Sequence, residues 1–184
     1  MTTMEFTEFP KIARHRRNIV VTEKIDGTNA QVAVGEDGSV RAGSRSRWIT
    51  PEADNFGFAR WVKEHEEELR ALGPGVHFGE WWGSGVQRGY GLKNGEKRFS
   101  LFNVHRWEDP SVRPPCCSVV PVLYRGPNAE DAIAFCLRVL RETGSVAAPG
   151  FMTPEGVVIF HTASGTLTKV TLEKDDEPKG KPQC

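Results

Sequence analysis

The chain has 184 residues, 38% hydrophobic and 26% charged, a profile that suits one substantial globular domain and leaves too little for two ordinary ones. Its 24 basic and 24 acidic residues cancel, so no overall positive field gathers nucleic acid, and any such contact must use local patches. No apolar run reaches the ~20 residues of a membrane span, and the first residues lack a signal-peptide core. Cys116, Cys117, Cys136 and Cys184 form no CxxC pair. They read as free thiols of a reducing compartment, so a cytoplasmic protein is expected.

In chain order, residues 19–26 read as a strand. Residues 29–34 and 39–43 flank the turn Gly35-Glu36-Asp37-Gly38 and read as a hairpin. Residues 55–72 have helical spacing: Phe58, Trp61, Val62, His65, Leu69 and Leu72 share a face until Gly73-Pro74 stops the helix. Residues 76–82 and 99–107 read as strands, and the Pro-, Cys- and Ser-rich residues 113–121 as a loop. A second helix is expected over 128–143, with Asn128 as N-cap and Gly144 as C-cap. Residues 156–161 and 166–173 form two closing strands around Ser164-Gly165. The charged, proline-containing end from Lys174 reads as mobile. Strands with two inserted helices make an α+β pattern.

The segment Thr22-Glu23-Lys24-Ile25-Asp26-Gly27-Thr28-Asn29 sets a lysine at the end of an apolar strand, beside a turn. A free lysine, with a pKa near ~10.4, is almost wholly protonated at neutral pH. Desolvation, or a nearby cation, would free its lone pair for nucleophilic attack. Further along come Gly43-Ser44-Arg45-Ser46-Arg47, then Gly79-Glu80 inside the strand His77 to Gly83. After these come Phe99-Ser100-Leu101-Phe102-Asn103-Val104, Glu155 opening a β-branched strand, and Lys169-Val170 in the last strand.

Each block alone is common; six in this order, over residues 22–174, are specific. The set resembles the covalent nucleotidyltransferase superfamily of RNA ligases, DNA ligases and capping enzymes, matching its motifs I, Ia, III, IIIa, IV and V. Glu23, Thr28-Asn29 and the FGEWWG strand are most similar to the ATP-dependent RNA ligase branch. The resemblance implies an α+β adenylyltransferase domain of ATP-grasp-like ligase type, with antiparallel sheets flanking a nucleotide cleft. It implies a catalytic domain over 1–174; members of the superfamily often carry an OB-fold as well, but with only a charged tail over 175–184 after the last strand, none is expected here.

The implied chemistry is attack of Lys24 on the α-phosphorus of ATP with Mg²⁺ or Mn²⁺, transfer of AMP to a 5′-phosphate, and sealing by a 3′-hydroxyl. Such phosphoryl transfer depends on positioning and charge neutralisation. By the same resemblance Glu23 reads the adenine edge, and Ile25 and Asn29 contact the nucleotide. Arg45, with Arg47, binds the ribose or the polynucleotide end. Glu80 takes a ribose hydroxyl or the metal, Phe99 stacks on adenine, Glu155 holds the metal, and Lys169 neutralises the α-phosphate. One position departs from the pattern: many members carry a second motif V lysine where this chain has Thr171.

The expected partners are RNA ends or a nicked duplex, with DNA as the alternative substrate; no membrane is expected, and the chain is read as a monomer. Basic clusters at Arg14, Arg16 and Arg17, at Arg41, Arg45 and Arg47, and at Lys93, Lys97 and Arg98 are candidates for phosphate contact. The competing readings are a DNA ligase, a capping-type enzyme, and a non-catalytic nucleotide or RNA-end binder. The glycine-rich run 83–91 lacks the ending of a phosphate cradle and reads as a flexible surface loop.

Overall fold

The structure, a computed structural model, describes residues 6–12, 14 and 17–173. The expected tail at 175–184, with Lys174 and Arg16, lies outside the described residues. Among those described, no helix is long and apolar enough to cross a membrane.

The first strand, β1 (Asn18–Lys24), is followed by β2 (Thr28–Val34), β3 (Val40–Ser44) and the short β4 (Trp48–Ile49). Helices α1 (Phe58–Glu64) and α2 (Glu66–Leu69) lead to β5 (Gly75–Gly83) and β6 (Lys97–Leu101). A single turn, α3 (Val104–Trp107), precedes β7 (Cys117–Val119) and β8 (Val122–Pro127). The long helix α4 (Glu130–Thr143) precedes β9 (Gly156–His161) and β10 (Thr166–Thr171). The strands form a four-stranded sheet, β10-β9-β1-β8, and a six-stranded sheet, β4-β3-β2-β5-β6-β7. All pairings are antiparallel except β6 with β7.

Successive strand residues face opposite sides, and this alternation sorts each strand between two layers. In β1, Ile19 and Val21 pack with Cys136 and Leu140 of α4 and with Val157 and Ile159 of β9. Their neighbour Val20 turns the other way, toward Ile25, Trp82, Tyr90, Val104 and Val120, the apolar floor where the two sheets meet. Behind the six-stranded sheet, Val32, Trp81, Phe99 and Leu101 pack on Phe58, Val62 and Leu69 from α1 and α2. The two sheets thus turn their inner faces toward one junction, each backed by helices.

The expected hairpin is present, closed by Gly35 N–H to the Ser39 carbonyl at 2.8 Å, with Asp37 Oδ1 accepting from the Ser39 N–H at 3.0 Å. Gly144 ends α4 with a φ of 79°, its N–H donating to the Leu140 carbonyl at 3.0 Å. Other expectations need correction. The helix expected over 55–72 begins at Phe58, because Asp54 binds the Asn55 and Ala59 N–H groups at 2.7 Å each and caps it from outside. It breaks at His65, where φ is −110°. The strand expected over 99–107 stops at Leu101, because Asn103 Oδ1 accepts the Arg106 N–H at 3.2 Å and starts α3. The loop expected over 113–121 contains β7, and β8 and β4 were not anticipated. Asn128 is not the N-cap of α4; Ala129 holds that position.

Gly79 fixes how closely β5 and β6 approach. A Cβ there would lie 2.5 Å from the Ser100 carbonyl oxygen and 2.6 Å from the Phe99 ring. Neither group can retreat from the packed sheet, so Gly79→Ala should cost about 2 kcal/mol and lower Tm by about 5 °C. A melt equal to that of the unsubstituted protein would mean that this contact is looser than described.

Candidate functional site

Strand register brings the sequence candidates together on the inner faces. In the four-stranded sheet Lys24 pairs with Gly156, and Gly156 pairs with Thr171. One step along, Thr22 pairs with Val158, and Val158 with Lys169. Lys24, Lys169 and Thr171 therefore share the face opposite α4. Lys24 Nζ donates to Glu155 Oε2 at 2.5 Å, both side chains being mostly buried. The group found against Lys24 is thus a carboxylate. Glu155 is held at the mouth of β9, its carbonyl accepting the Leu172 N–H at 2.9 Å.

On the six-stranded sheet Asn29 pairs with Glu80, and Glu80 with Ser100. Glu80 Oε1 accepts the Gly27 N–H at 3.1 Å, and Oε2 accepts Asn29 Nδ2 at 3.2 Å. Gly27 has no room for a side chain, since a Cβ would collide with the Trp81 carbonyl oxygen. Burial pushes the Glu80 carboxyl up to about 7; Lys24 and the Gly27 N–H oppose the shift, while Glu155 and Asp26 add to it. Lys24, Asp26, Glu80 and Glu155 thus form one electrostatic cluster at the junction of the sheets.

Two of the sequence candidates are placed away from the face of Lys24. Alternation turns Glu23 to the opposite face of β1. There it is 1% exposed and saturated: Ser145 Oγ donates to Oε1 at 2.6 Å, and the N–H groups of Val146 and Ala147 donate to Oε2 at 2.8 and 2.9 Å. Burial raises its pKa, and these three donors pull it back down. Phe99 has no face to stack on a ligand. It is fully buried behind the six-stranded sheet, its ring 5.1 Å from Phe58 and 5.8 Å from Trp61.

The inner face instead presents Phe102 and Phe78, 41% and 58% exposed; of these the sequence reading gave no role to Phe102. Phe102 extends the register of β6, its N–H donating to the Phe78 carbonyl at 2.9 Å, so both rings lie on the side of Glu80. The period of two was a usable signal: once Glu80 faces inward, Ser100 and Phe102 follow and Phe99 cannot.

The remaining candidates lie around this centre. Ile25 is buried in the floor beneath it. Arg45 and Arg47 are exposed on the turn after β3, Arg45 lying one residue beyond the pairing of Ser44 with Ala30 and so level with Asn29. Arg41 lies over the Trp48 ring at 4.6 Å, and Arg98 Nη2 pairs with Glu96 Oε1 at 2.6 Å. Arg14 and Arg17 line a hollow of about 600 Å³ with Lys11 and the β9–β10 turn.

The run 83–91 is not a loose loop. Tyr90 is buried between Trp82 and Phe151, at ring distances of 5.3 and 4.5 Å, and its hydroxyl accepts the Asp26 N–H at 2.9 Å. Arg88 Nε donates to Asp26 Oδ2 at 3.0 Å. Sequence reasoning missed both residues, since neither lies in a motif.

The RNA ligase family profile matches residues 17–171. An archaeal ATP-dependent RNA ligase superposes with a TM-score of 0.60 at 21% identity, over 90% of this chain and 48% of that one. A Naegleria gruberi RNA ligase gives 0.59 at 19% identity, over 86% and 50%. Another structure of a Naegleria gruberi RNA ligase, holding AMP and Mn, gives 0.55 at 19% identity, over 84% and 49%. This chain thus spans about half the length of the ligases it resembles. No curated protein matches it. The shared architecture is the two-sheet α+β nucleotidyltransferase fold, and with the profile covering most of its length, the chain belongs to the RNA ligase family.

Proposed function

We propose that the protein joins RNA 5′-phosphate and 3′-hydroxyl ends with ATP, through AMP carried on Lys24. The observation that carries this reading is the meeting of Lys24, Glu155 and Glu80 at one junction, with Lys169 on the face of Lys24. In the first step the Lys24 Nζ–phosphorus bond forms as the bond to the β-phosphate oxygen breaks, and pyrophosphate leaves. AMP then passes to a 5′-phosphate, and a 3′-hydroxyl attacks that phosphate and expels AMP. Naegleria gruberi RNA ligase structures with AMP and Mn, with ATP and Mn, and with pyrophosphate support the choice of ligands.

Each side chain has work that its placement suits. The Glu80 carboxylate, aligned by Gly27 and Asn29, accepts from a ribose hydroxyl. The base stacks on Phe102, in place of the buried Phe99. Lys169 offsets charge on the α-phosphate, and Arg45 stands at the level of Asn29 to meet ribose or polynucleotide, with Arg47 beside it. The donors also fit a divalent cation, because Glu80 and Glu155 supply carboxylate oxygens, and Mg²⁺ is held by one or two carboxylates plus substrate phosphates. Bound there, Mg²⁺ or Mn²⁺ would neutralise phosphate charge and compete with Lys24 for Glu155. Lys24 must leave that ion pair and lose a proton before it attacks.

Incubation with α-labelled ATP and Mg²⁺ should leave label on the denatured protein, and Lys24→Ala should abolish it. Binding of ATP without transfer would sink the reading in favour of a nucleotide-binding protein. Offering RNA and DNA 3′-hydroxyl ends to the labelled protein separates the two ligase types. Phe102→Ala should raise the half-saturating ATP concentration about tenfold, given ~1–3 kcal/mol for a base–aromatic stack. An unchanged value would remove Phe102 from the site.

Glu80 gives a pH signature in the absence of divalent ions. Its folded pKa, about 7, lies above its ordinary value of 4.5, so the folded state holds a proton that the unfolded chain has released. Its contribution to stability is therefore greatest at low pH and is lost as pH rises from 4.5 to about 7. Glu80→Gln should flatten that fall by about 3 kcal/mol. Parallel stability curves for the two proteins would show that the carboxyl is not perturbed.

A further inference from the structure

The segment after β5 is folded back on itself and docked. Val86 N–H donates to the Gly83 carbonyl, Gly89 N–H to Val86 and Leu92 N–H to Gly89, at 2.9, 2.9 and 3.0 Å. Two residues with side chains, Gln87 and Tyr90, hold positive φ values of 44° and 50°. Such conformations persist only where the surroundings impose them, and they gather at functional positions. Between these two lies Arg88, with its guanidinium aimed at the other sheet.

Three segments of the site converge on that guanidinium. Nε donates to Asp26 Oδ2 at 3.0 Å, in the turn that follows Lys24. Nη1 donates to the Thr153 carbonyl at 3.0 Å, two residues before Glu155. Nη2 lies 3.5 Å from Glu173 Oε2, just past β10. A planar fork of fixed donors holds three partners in a set geometry, which a lysine cannot reproduce. Tyr90 reinforces the contact by accepting the Asp26 N–H. Asp26, Thr153 and Glu173 flank Lys24, Glu155 and β10 in turn, whereas the strap carrying Arg88 continues from β5, the strand of Glu80.

We propose that Arg88 is a positioning residue for lysine nucleotidylation: it locks the Lys24 turn and the approach to Glu155 to the sheet that carries Glu80, so that nucleophile and ribose acceptor keep one separation. Arg88 touches neither Lys24 nor Glu155 and acts through Asp26 and the Thr153 backbone. The inference rests on the reading of Lys24 as the nucleophile. Its consequence is a rate effect, because a displacement of about 1 Å at a reacting atom costs about 100-fold, while the groups that would bind ATP keep their own contacts.

In single-turnover labelling with α-labelled ATP, Arg88→Ala should slow transfer to Lys24 by about 100-fold and change half-saturating ATP by less than about threefold. Arg88→Lys should recover only part of the rate, since it can satisfy one partner at a time. Asp26→Asn should slow transfer too, and joining it to Arg88→Ala should add little, as expected for two residues acting through one contact. An unchanged rate in Arg88→Ala, a loss confined to ATP affinity, or additive effects of the two substitutions would overturn the proposal. Hydrogen exchange at the Asp26 and Gly27 N–H groups, without nucleotide, reads the same positioning separately, since both are bonded within this junction. Arg88→Ala should speed exchange there, and unchanged exchange overturns the role of Arg88 even if no label is taken from ATP. Absence of label on the unsubstituted protein, with faster exchange in Arg88→Ala, would instead count against the nucleotidyl-transfer reading alone.

Discussion

A carboxylate removed from water must be met by donors or it will not stay there, and the Glu23 carboxylate is met by three. Those donors come from Ser145, Val146 and Ala147, directly after α4, so the buried acid ties the end of β1 to the end of the helix behind it. Backbone alternation does the rest. With Glu23 held on the helical side, its neighbour Lys24 has only the inner face to occupy. The Glu23 N–H is itself bonded to the Pro121 carbonyl at 2.9 Å, which fixes the strand from its other edge. The buried acid is therefore an anchor that aims the lysine.

From that anchor the site is built by pairing. β9 delivers Glu155 to Lys24, β10 delivers Lys169 to the same face, and the turn 25–27 carries the chain across to the second sheet. There the Gly27 N–H meets Glu80 at 3.1 Å, so the turn that follows the lysine also orients the acid facing it. The absence of a side chain at Gly27 is what allows that approach against β5. The arrangement pairs its charges: Glu155 meets Lys24, Asp26 meets Arg88, and Glu80, pushed up to about 7 chiefly by its burial, is the acid without a cationic partner within ion-pair distance among the described residues.

The sequence made the strands near the site legible because they carry both hydrophobic alternation and motif residues. β1, β2, β3, β5, β9 and the end of α4 lie close to where pattern and capping place them. What it concealed was mostly short or non-local. β7 is three residues in a Pro- and Cys-rich stretch and exists only because β6 offers it a parallel edge. Phe102 and Phe99 look alike in FSLFNV, and only the pairing of Ser100 with Glu80 decides which ring faces inward. Arg88 belongs to no motif. Its meaning comes from contacts 62 and 65 residues away in the chain, which no local pattern encodes.

The register also shows what the departure at Thr171 means. Thr171 stands in the row of Lys24, two strands away through Gly156, or about 10 Å at the usual strand spacing. A lysine there would share the face of Lys24 and Lys169. Here the position holds a hydroxyl, which donates to the Glu173 carbonyl at 2.9 Å. Arg88 brings a positive charge to this end of β10, within 3.5 Å of Glu173, but its Nε is committed to Asp26. A guanidinium already paired with a carboxylate does little for a phosphate, so Arg88 does not make good the missing lysine. On the proposed reading, the charge of an incoming triphosphate would be met by Lys24, Lys169 and a cation held by Glu80 and Glu155, while Lys174, the other candidate for the missing lysine, lies outside the described residues.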